Sequence, residues 1–170
     1  MADLVRFQIL TLPPCRIVGR ALKVDPKEAN PIPAFWEDCF QKGIFTQLEQ
    51  MEGLYQEILP DADDAYLSWN GELETDGSFT YMIGMLMRPD TPVPEGLDYR
   101  DLPQCRVAMG QIKGTIPEVY AQEMDLLLPE MEKLGLVPDS FSMEVYACPR
   151  FTTPGPIDGT VILDYYVQIK

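Results

Sequence analysis

The chain contains no histidine among its 170 residues. That absence excludes Ser-His-Asp and Cys-His catalysis and every His-ligated metal site. Any acid–base work falls to Glu, Asp, Tyr, Lys or Cys. Basic residues are scarce: 13 Lys and Arg stand against 27 Asp and Glu, a formal charge of −14 and a pI near 4.2. A nucleic-acid binder needs a cationic face to displace counterions from phosphates, so no direct nucleic-acid binding is expected. The four cysteines, Cys15, Cys39, Cys105 and Cys148, form no C-x-x-C pair, which excludes a zinc ribbon and a dithiol redox motif. Free buried thiols in a cytoplasmic protein are the simplest reading, with no metal and no cofactor. No basic segment followed by an apolar one opens the sequence, and no apolar run approaches about 20 residues. Neither a signal peptide nor a membrane span is therefore expected.

What is present is enough for a core. Hydrophobic residues make up 46% of the chain, and the length suits a single domain over 1–170. The net negative charge reads first as a soluble surface that repels its own copies. Attraction of cationic ligands is the alternative.

An internal repeat organises the sequence. Leu12-Pro13-Pro14-Cys15-Arg16-Ile17 returns as Leu102-Pro103-Gln104-Cys105-Arg106-Val107, at an offset of 90 residues. Ile32-Pro33-Ala34-Phe35-Trp36 returns as Ile116-Pro117-Glu118-Val119-Tyr120, at an offset of 84. The chain reads as module one over about 1–88, a Pro-rich linker over about 89–99 and module two over about 100–170. Each module opens with a strand, Cys15 to Val24 and Cys105 to Lys113. A helix follows, with Pro33 and Pro117 in the first turn and Thr115 as a candidate cap. Trp36, Phe40, Ile44 and Leu48 form an apolar stripe on the first helix, and Gly43 is a candidate break. Pro129 should kink or divide the second helix, and Gly135 should end it. Two strands complete each module: Ala65 to Leu73 with Ser78 to Arg88, and Phe141 to Cys148 with Thr160 to Lys170. Two β-α-β-β modules predict an α+β domain with pseudo-twofold symmetry. Its helices should cover one face of an antiparallel sheet and leave the other face for a ligand cleft between the halves.

Strand alternation supplies the candidate site. Glu144 and Tyr146 share one face of the F-S-M-E-V-Y strand. In the last strand Val161, Leu163, Tyr165, Val167 and Ile169 are assigned to the helices, which leaves Tyr166 facing the other way. Pairing these strands would bring Tyr166 to Glu144 and Tyr146. A carboxylate among aromatic rings is desolvated, which raises its pKa unless a cation pairs with it. Rings plus one acid make a cage for an organic cation. Against this, an acid alternating in an antiparallel strand is more often solvent-facing. Trp36 on an apolar stripe suits a core as well as a ligand platform, and Trp69 beside Tyr66 is equally two-sided. The methionines, including Met82, Met85 and Met87, fit either core or pocket.

The module order, the I-P-x-F-W helix opening and the F-S-M-E-V-Y strand resemble the GyrI-like effector-binding domains. This family occurs at the C-termini of AraC-type and MerR-type multidrug regulators and as free-standing proteins. The resemblance covers nearly the whole chain. It implies a tandem duplication with a ligand cleft, a glutamate deep in that cleft at Glu144, and aromatic walls at Trp36, Tyr120 and Tyr166. The ending D-Y-Y-V-Q-I is similar to the family's D-I-Y-I-P-I, with Gln168 in place of proline. Trp69 and Tyr146 join the candidate ligand-binding set by position.

The leading expectation is a free-standing, cytoplasmic small-molecule-binding protein for amphipathic, cationic aromatic compounds. It would act in drug sensing or sequestration, with no spare length for a helix-turn-helix domain. The alternative, also implied by the resemblance, is a hydrolase that opens the cyclopropane of DNA-alkylating natural products, with Glu144 and Tyr166 as its catalytic pair. The third is an inhibitor of a protein partner such as gyrase. That reading would need gathered acids, and only Asp61, Asp63 and Asp64 are grouped. A protein partner or homodimer stays open.

Overall fold

Eight strands, most of them rich in β-branched and aromatic residues, pair into one antiparallel sheet in the computed structural model, which describes all 170 residues. They are β1 (Asp3–Leu12), β2 (Cys15–Val24), β3 (Ala65–Gly71), β4 (Phe79–Met87), β5 (Asp98–Leu102), β6 (Cys105–Gly114), β7 (Pro138–Ala147) and β8 (Val161–Ile169). Three α-helices accompany them: α1 (Ile32–Gln41), α2 (Ile44–Glu49) and α3 (Ile116–Lys133). The class is α+β, as expected, with two strands and one helix more than the sequence predicts. The extra strands, β1 and β5, are the two edges of the sheet. An edge strand needs neither two paired neighbours nor two apolar faces, so the charged run Asp-Tyr-Arg-Asp-Leu of β5 carries little strand signal. The extra helix arises at Gly43, whose φ of 67° breaks the apolar stripe into α1 and α2. By contrast, α3 runs unbroken through Pro129. The donor that this proline lacks would have served the carbonyl of Asp125, an exposed residue that water can satisfy instead.

Helix termini follow their local chemistry. Thr115 and Glu118 form a reciprocal capping box at the start of α3. Gly135, at φ 67°, closes its end while Leu136 donates back to the Met131 carbonyl at 3.0 Å. At the start of α1 the Asn30 side chain accepts the Ile32 N–H at 3.0 Å, and Pro33 lies in the first turn.

The strand order is β1-β6-β8-β7-β3-β4-β2-β5. Exchanging β1–β4 with β5–β8 reverses this order onto itself, with β7 and β3 at the centre. β1 pairs with β6 and β5 pairs with β2, so each half lends its first strand to the other. The connections Pro13-Pro14 and Pro103-Gln104 must each carry the chain from one side of the sheet to the other. Leu12 and Cys15 can be at most about 11 Å apart. The sheet therefore curls until its ends approach. Leu12, Ile17, Leu102, Val107 and Met109, all from the ends, join Leu67, Trp69, Met143, Val145 and Tyr166 from the middle in one buried cluster. Curling on this scale needs close backbone approach. Gly19 lies opposite Gly84, and a Cβ at Gly19 would stand 1.9 Å from the Ile83 carbonyl oxygen.

The helices occupy the outer, convex face. α1 and α2 cover β2 and β4 through Cys39, Phe45 and Leu48. α3 covers β6 and β8 through Leu127 and Met131. The middle of the outer face, over β3 and β7, lies between the helices, which reach it through Phe45 on Tyr66 and Trp36 on Tyr146. The opening therefore lies on the helix-bearing face, between the helices. The sequence reading placed it on the opposite face, which the curl has filled with core.

Candidate ligand-binding site

The floor of the opening is set by strand register. β3 and β7 pair Tyr66 with Tyr146 and Ser68 with Glu144, while β3 and β4 pair Asn70 with Tyr81. One period-two set from three strands thus faces outward. α1 supplies Trp36 and Phe40, four residues apart on one side of the helix. α3 supplies Tyr120 and Glu123, three residues apart. Glu49 at the end of α2, Asp64 before β3, and Phe151 and Thr152 after β7 complete the rim. Together they enclose a cleft of about 860 Å³, the size of a drug-like ligand site.

Aromatic packing fixes the walls. Trp36 stands edge-on to Tyr146 at 5.3 Å between ring centroids, and Phe151 closes on Tyr146 at 5.0 Å. Phe45 of α2 stacks on Tyr66 at 3.8 Å and on Trp36 at 5.7 Å, so both cleft rings have a rigid backing. Trp36 Nε1–H donates to the Tyr81 hydroxyl at 2.7 Å. Tyr146 donates its hydroxyl proton to Glu144 Oε2 at 2.6 Å. With that proton engaged, Ser68 Oγ, 3.0 Å away, must donate to the Tyr146 oxygen. The Tyr66 hydroxyl donates to Glu49.

Electrostatically the cleft is one-signed. Glu49, Asp64, Glu123 and Glu144 line it with seven aromatic side chains, and no Lys or Arg is among its sixteen lining residues. Burial first, then the neighbouring Glu144 charge, push the Glu123 carboxyl well above the usual carboxylate range. Burial and then Glu144 push Tyr120 up to about 12 and Tyr146 well above the phenol range. Burial first, then the bond to Glu49, brings Tyr66 to about 12. No group of three or more Cys, Asp or Glu converges in a metal-binding arrangement.

Of the residues proposed from sequence, the structure brings Trp36, Tyr120, Glu144 and Tyr146 together. Glu144 is half-buried on the floor, accessible from the cleft rather than enclosed. Trp69 and Tyr166 are elsewhere, on the inner face, at 5% and 0% exposure. The cause for Tyr166 is register: β7 and β8 pair Glu144 with Tyr165 and Met143 with Tyr166. A pairing one residue different would reverse every side chain. Trp69 pairs with Met143 and follows it inward. The sequence reading missed Glu123, Phe40, Tyr66, Tyr81 and Phe151 as lining residues. Helical spacing from Trp36 and Tyr120 would have found Phe40 and Glu123, whereas Phe151 depends on a loop path. The Asp61–Asp64 trio is divided: Asp61 pairs with Arg6 at 3.0 Å, and Asp64 lines the cleft. No helix is long and apolar enough to cross a membrane.

No curated protein sequence matches the chain significantly. Solved structures do match in fold. SAV2435 bound to tetraphenylphosphonium aligns over 98% of this chain and 94% of its own, at a TM-score of 0.73 and 18% identity. A protein of Staphylococcus aureus MU50 assigned to bacterial transcription regulation aligns over 97% and 98%, at 0.68 and 19%. A hydrolase from Listeria innocua aligns over 99% and 93%, at 0.53 and 11%. At these identities the likeness concerns the fold alone. The sequence model of the GyrI-like small molecule binding domain matches residues 6–170, and the chain belongs to that family.

Proposed function

We propose that the protein binds amphipathic organic cations bearing aromatic groups, and that it senses or sequesters them as a cytoplasmic effector-binding protein of the multidrug-regulator type. One observation carries this reading: a cleft of about 860 Å³ lined by seven aromatic side chains and four carboxyl groups, with no basic side chain. Aromatic faces attract a cation through their quadrupoles, and a carboxylate in the same desolvated space completes the charge balance. The tetraphenylphosphonium bound by SAV2435, a structure of the same fold, is a ligand of this chemical class. Trp36, Tyr120 and Tyr146 are assigned to ring stacking, and Glu144 to offsetting the charge. The test is fluorescence titration with rhodamine 6G and competition by tetraphenylphosphonium. Glu144→Gln is expected to weaken binding at least about tenfold. Equal affinities in the two proteins would overturn the charge-pairing role.

A hydrolytic reading is favoured by one detail. Burial and the Glu144 charge push the Glu123 carboxyl well above the usual carboxylate range, and Glu144, on the same cleft, accepts the Tyr146 hydroxyl. A proton donor and a proton acceptor thus face one space, as water addition to a strained ring would require. Tyr166, proposed from sequence as the partner of Glu144, points into the core, so Tyr146 takes that place. Incubation with a cyclopropane-bearing alkylating compound should then give the ring-opened water adduct. No adduct above the protein-free rate would leave binding as the sole function.

A further inference from the structure

The cleft holds more acid than one cation needs. Glu123 of α3 and Glu144 of β7 line the same cleft, and Glu123 Oε2 is buried without a hydrogen-bond partner. The groups around it are Glu144 and Tyr146 from β7, Tyr165 from β8 and Tyr120 from its own helix, with Tyr81 of β4, Glu49 and Asp64 farther along the same cleft. All are acidic or neutral. Two carboxyl groups facing one half-desolvated space repel each other as carboxylates, which favours one proton on the pair until positive charge arrives. A monocation can be balanced by the single charge the pair already carries. We propose that Glu123 and Glu144 act as a two-carboxyl counter-charge that selects dications, the ligand's second positive charge entering as the pair's proton leaves to solvent. This inference rests on the cation-binding reading and narrows its ligand class.

The exchange balances. A dication and a pair with one proton give a complex of two carboxylates with two positive charges, and one proton passes to the buffer. Dication affinity should therefore rise with pH, approaching tenfold per unit where one full proton is released. Monocation affinity should change little over the same range. Neither trend requires Asp64 or Glu49, which accepts the Tyr66 hydroxyl.

Ethidium and propidium test this. They share a planar cationic ring system, and propidium adds a quaternary ammonium on a short arm. Both are titrated by fluorescence at several pH values, and by calorimetry in phosphate and Tris, whose ionisation heats differ. Propidium is expected to bind about tenfold tighter than ethidium near pH 8 and to release close to one proton per molecule. Glu123→Gln should bring the propidium-to-ethidium affinity ratio towards one and abolish the excess proton release. A wild-type ratio retained in Glu123→Gln would overturn the proposal by locating the preference at other acids. Equal proton release with the two probes in the wild-type protein would also overturn it. If neither probe binds, the cation-binding reading itself fails. Ethidium binding without a propidium preference breaks only the dication inference.

Discussion

The two faces of the central strands use the same residue types for opposite purposes. On β3, Tyr66 faces the cleft while Trp69 is core. On β8, Tyr165 lies under α3 while Tyr166 is sealed in the inner cluster. On β7, Glu144 and Tyr146 point outward, and Met143 and Val145 point inward. Composition cannot distinguish these sets, because each has its Tyr, Trp or Phe. What separates them is whether something covers the strand. The curl covers the inner face completely, whereas the helices flank the outer face and leave its middle open. A pocket arises here because two covering elements stop short of each other.

The largest test of this contrast compares one tyrosine from each side. Tyr166 is fully buried, so Tyr166→Ala removes a ring that its neighbours cannot replace and should cost about 3–5 kcal/mol. Tyr120 is 40% exposed on the cleft wall, and Tyr120→Ala should cost less than about 1 kcal/mol while weakening cation binding. Chemical denaturation and dye titration measure both. If Tyr120→Ala destabilised the fold as much as Tyr166→Ala, the open face would be core after all.

A second test joins the faces. Asp164 is fully buried, and its partner Arg150 also donates to the carbonyls of Pro60, at 2.9 Å, and Asp61, at 2.6 Å. Phe151 is the next residue and reaches the cleft. Burial raises the Asp164 pKa despite the guanidinium, so the pair offsets a desolvation cost rather than adding a surplus. Arg150→Ala should cost about 3 kcal/mol by leaving that carboxyl unpaired. It should also weaken dye binding as Phe151 loses its anchor. Loss of stability with undiminished dye affinity would show that Phe151 holds its place without Arg150.

Much of this was legible in the sequence. Six strands, the helix openings, Gly43 and Gly135 follow from turn chemistry and β-branched runs, which act within a few residues. The cleft set was half legible. Trp36 and Tyr120 lie at matching positions of the repeat, and Glu144 with Tyr146 follows from alternation. Tyr166 faces away from the helices, as alternation implies, but Glu144 does not share that face and the cleft is not there; Trp69 is core for the same reason, because the relation between strands depends on inter-strand register and on the curl. Both are long-range properties. The edge strands β1 and β5 escaped because their pairing partners belong to the other half of the chain. Glu123 escaped for another reason: an acid on an exposed helix looks like any solvated residue until β7 places a second acid in the same cleft.

That pair provides the smallest expected effect and the sharpest contrast between the faces. Because Glu123 holds its proton more tightly in the folded protein than in the unfolded chain, its contribution to stability is full below the unfolded carboxyl value. It is lost as pH rises towards the folded one. Glu123→Gln carries no such proton. The variant should match the wild type below about pH 4 and exceed it by about 1 kcal/mol near pH 8, the figure kept small because the cleft is open to water. The inner face offers the control. Tyr166→Ala should lower stability by about the same amount at both pH values, since Asp164, the fully buried carboxyl near it, is paired with Arg150. Denaturation curves at the two pH values decide the matter. Parallel profiles for wild type and Glu123→Gln would mean that the two acids do not share a proton, and the outer face would then differ from the inner only in exposure.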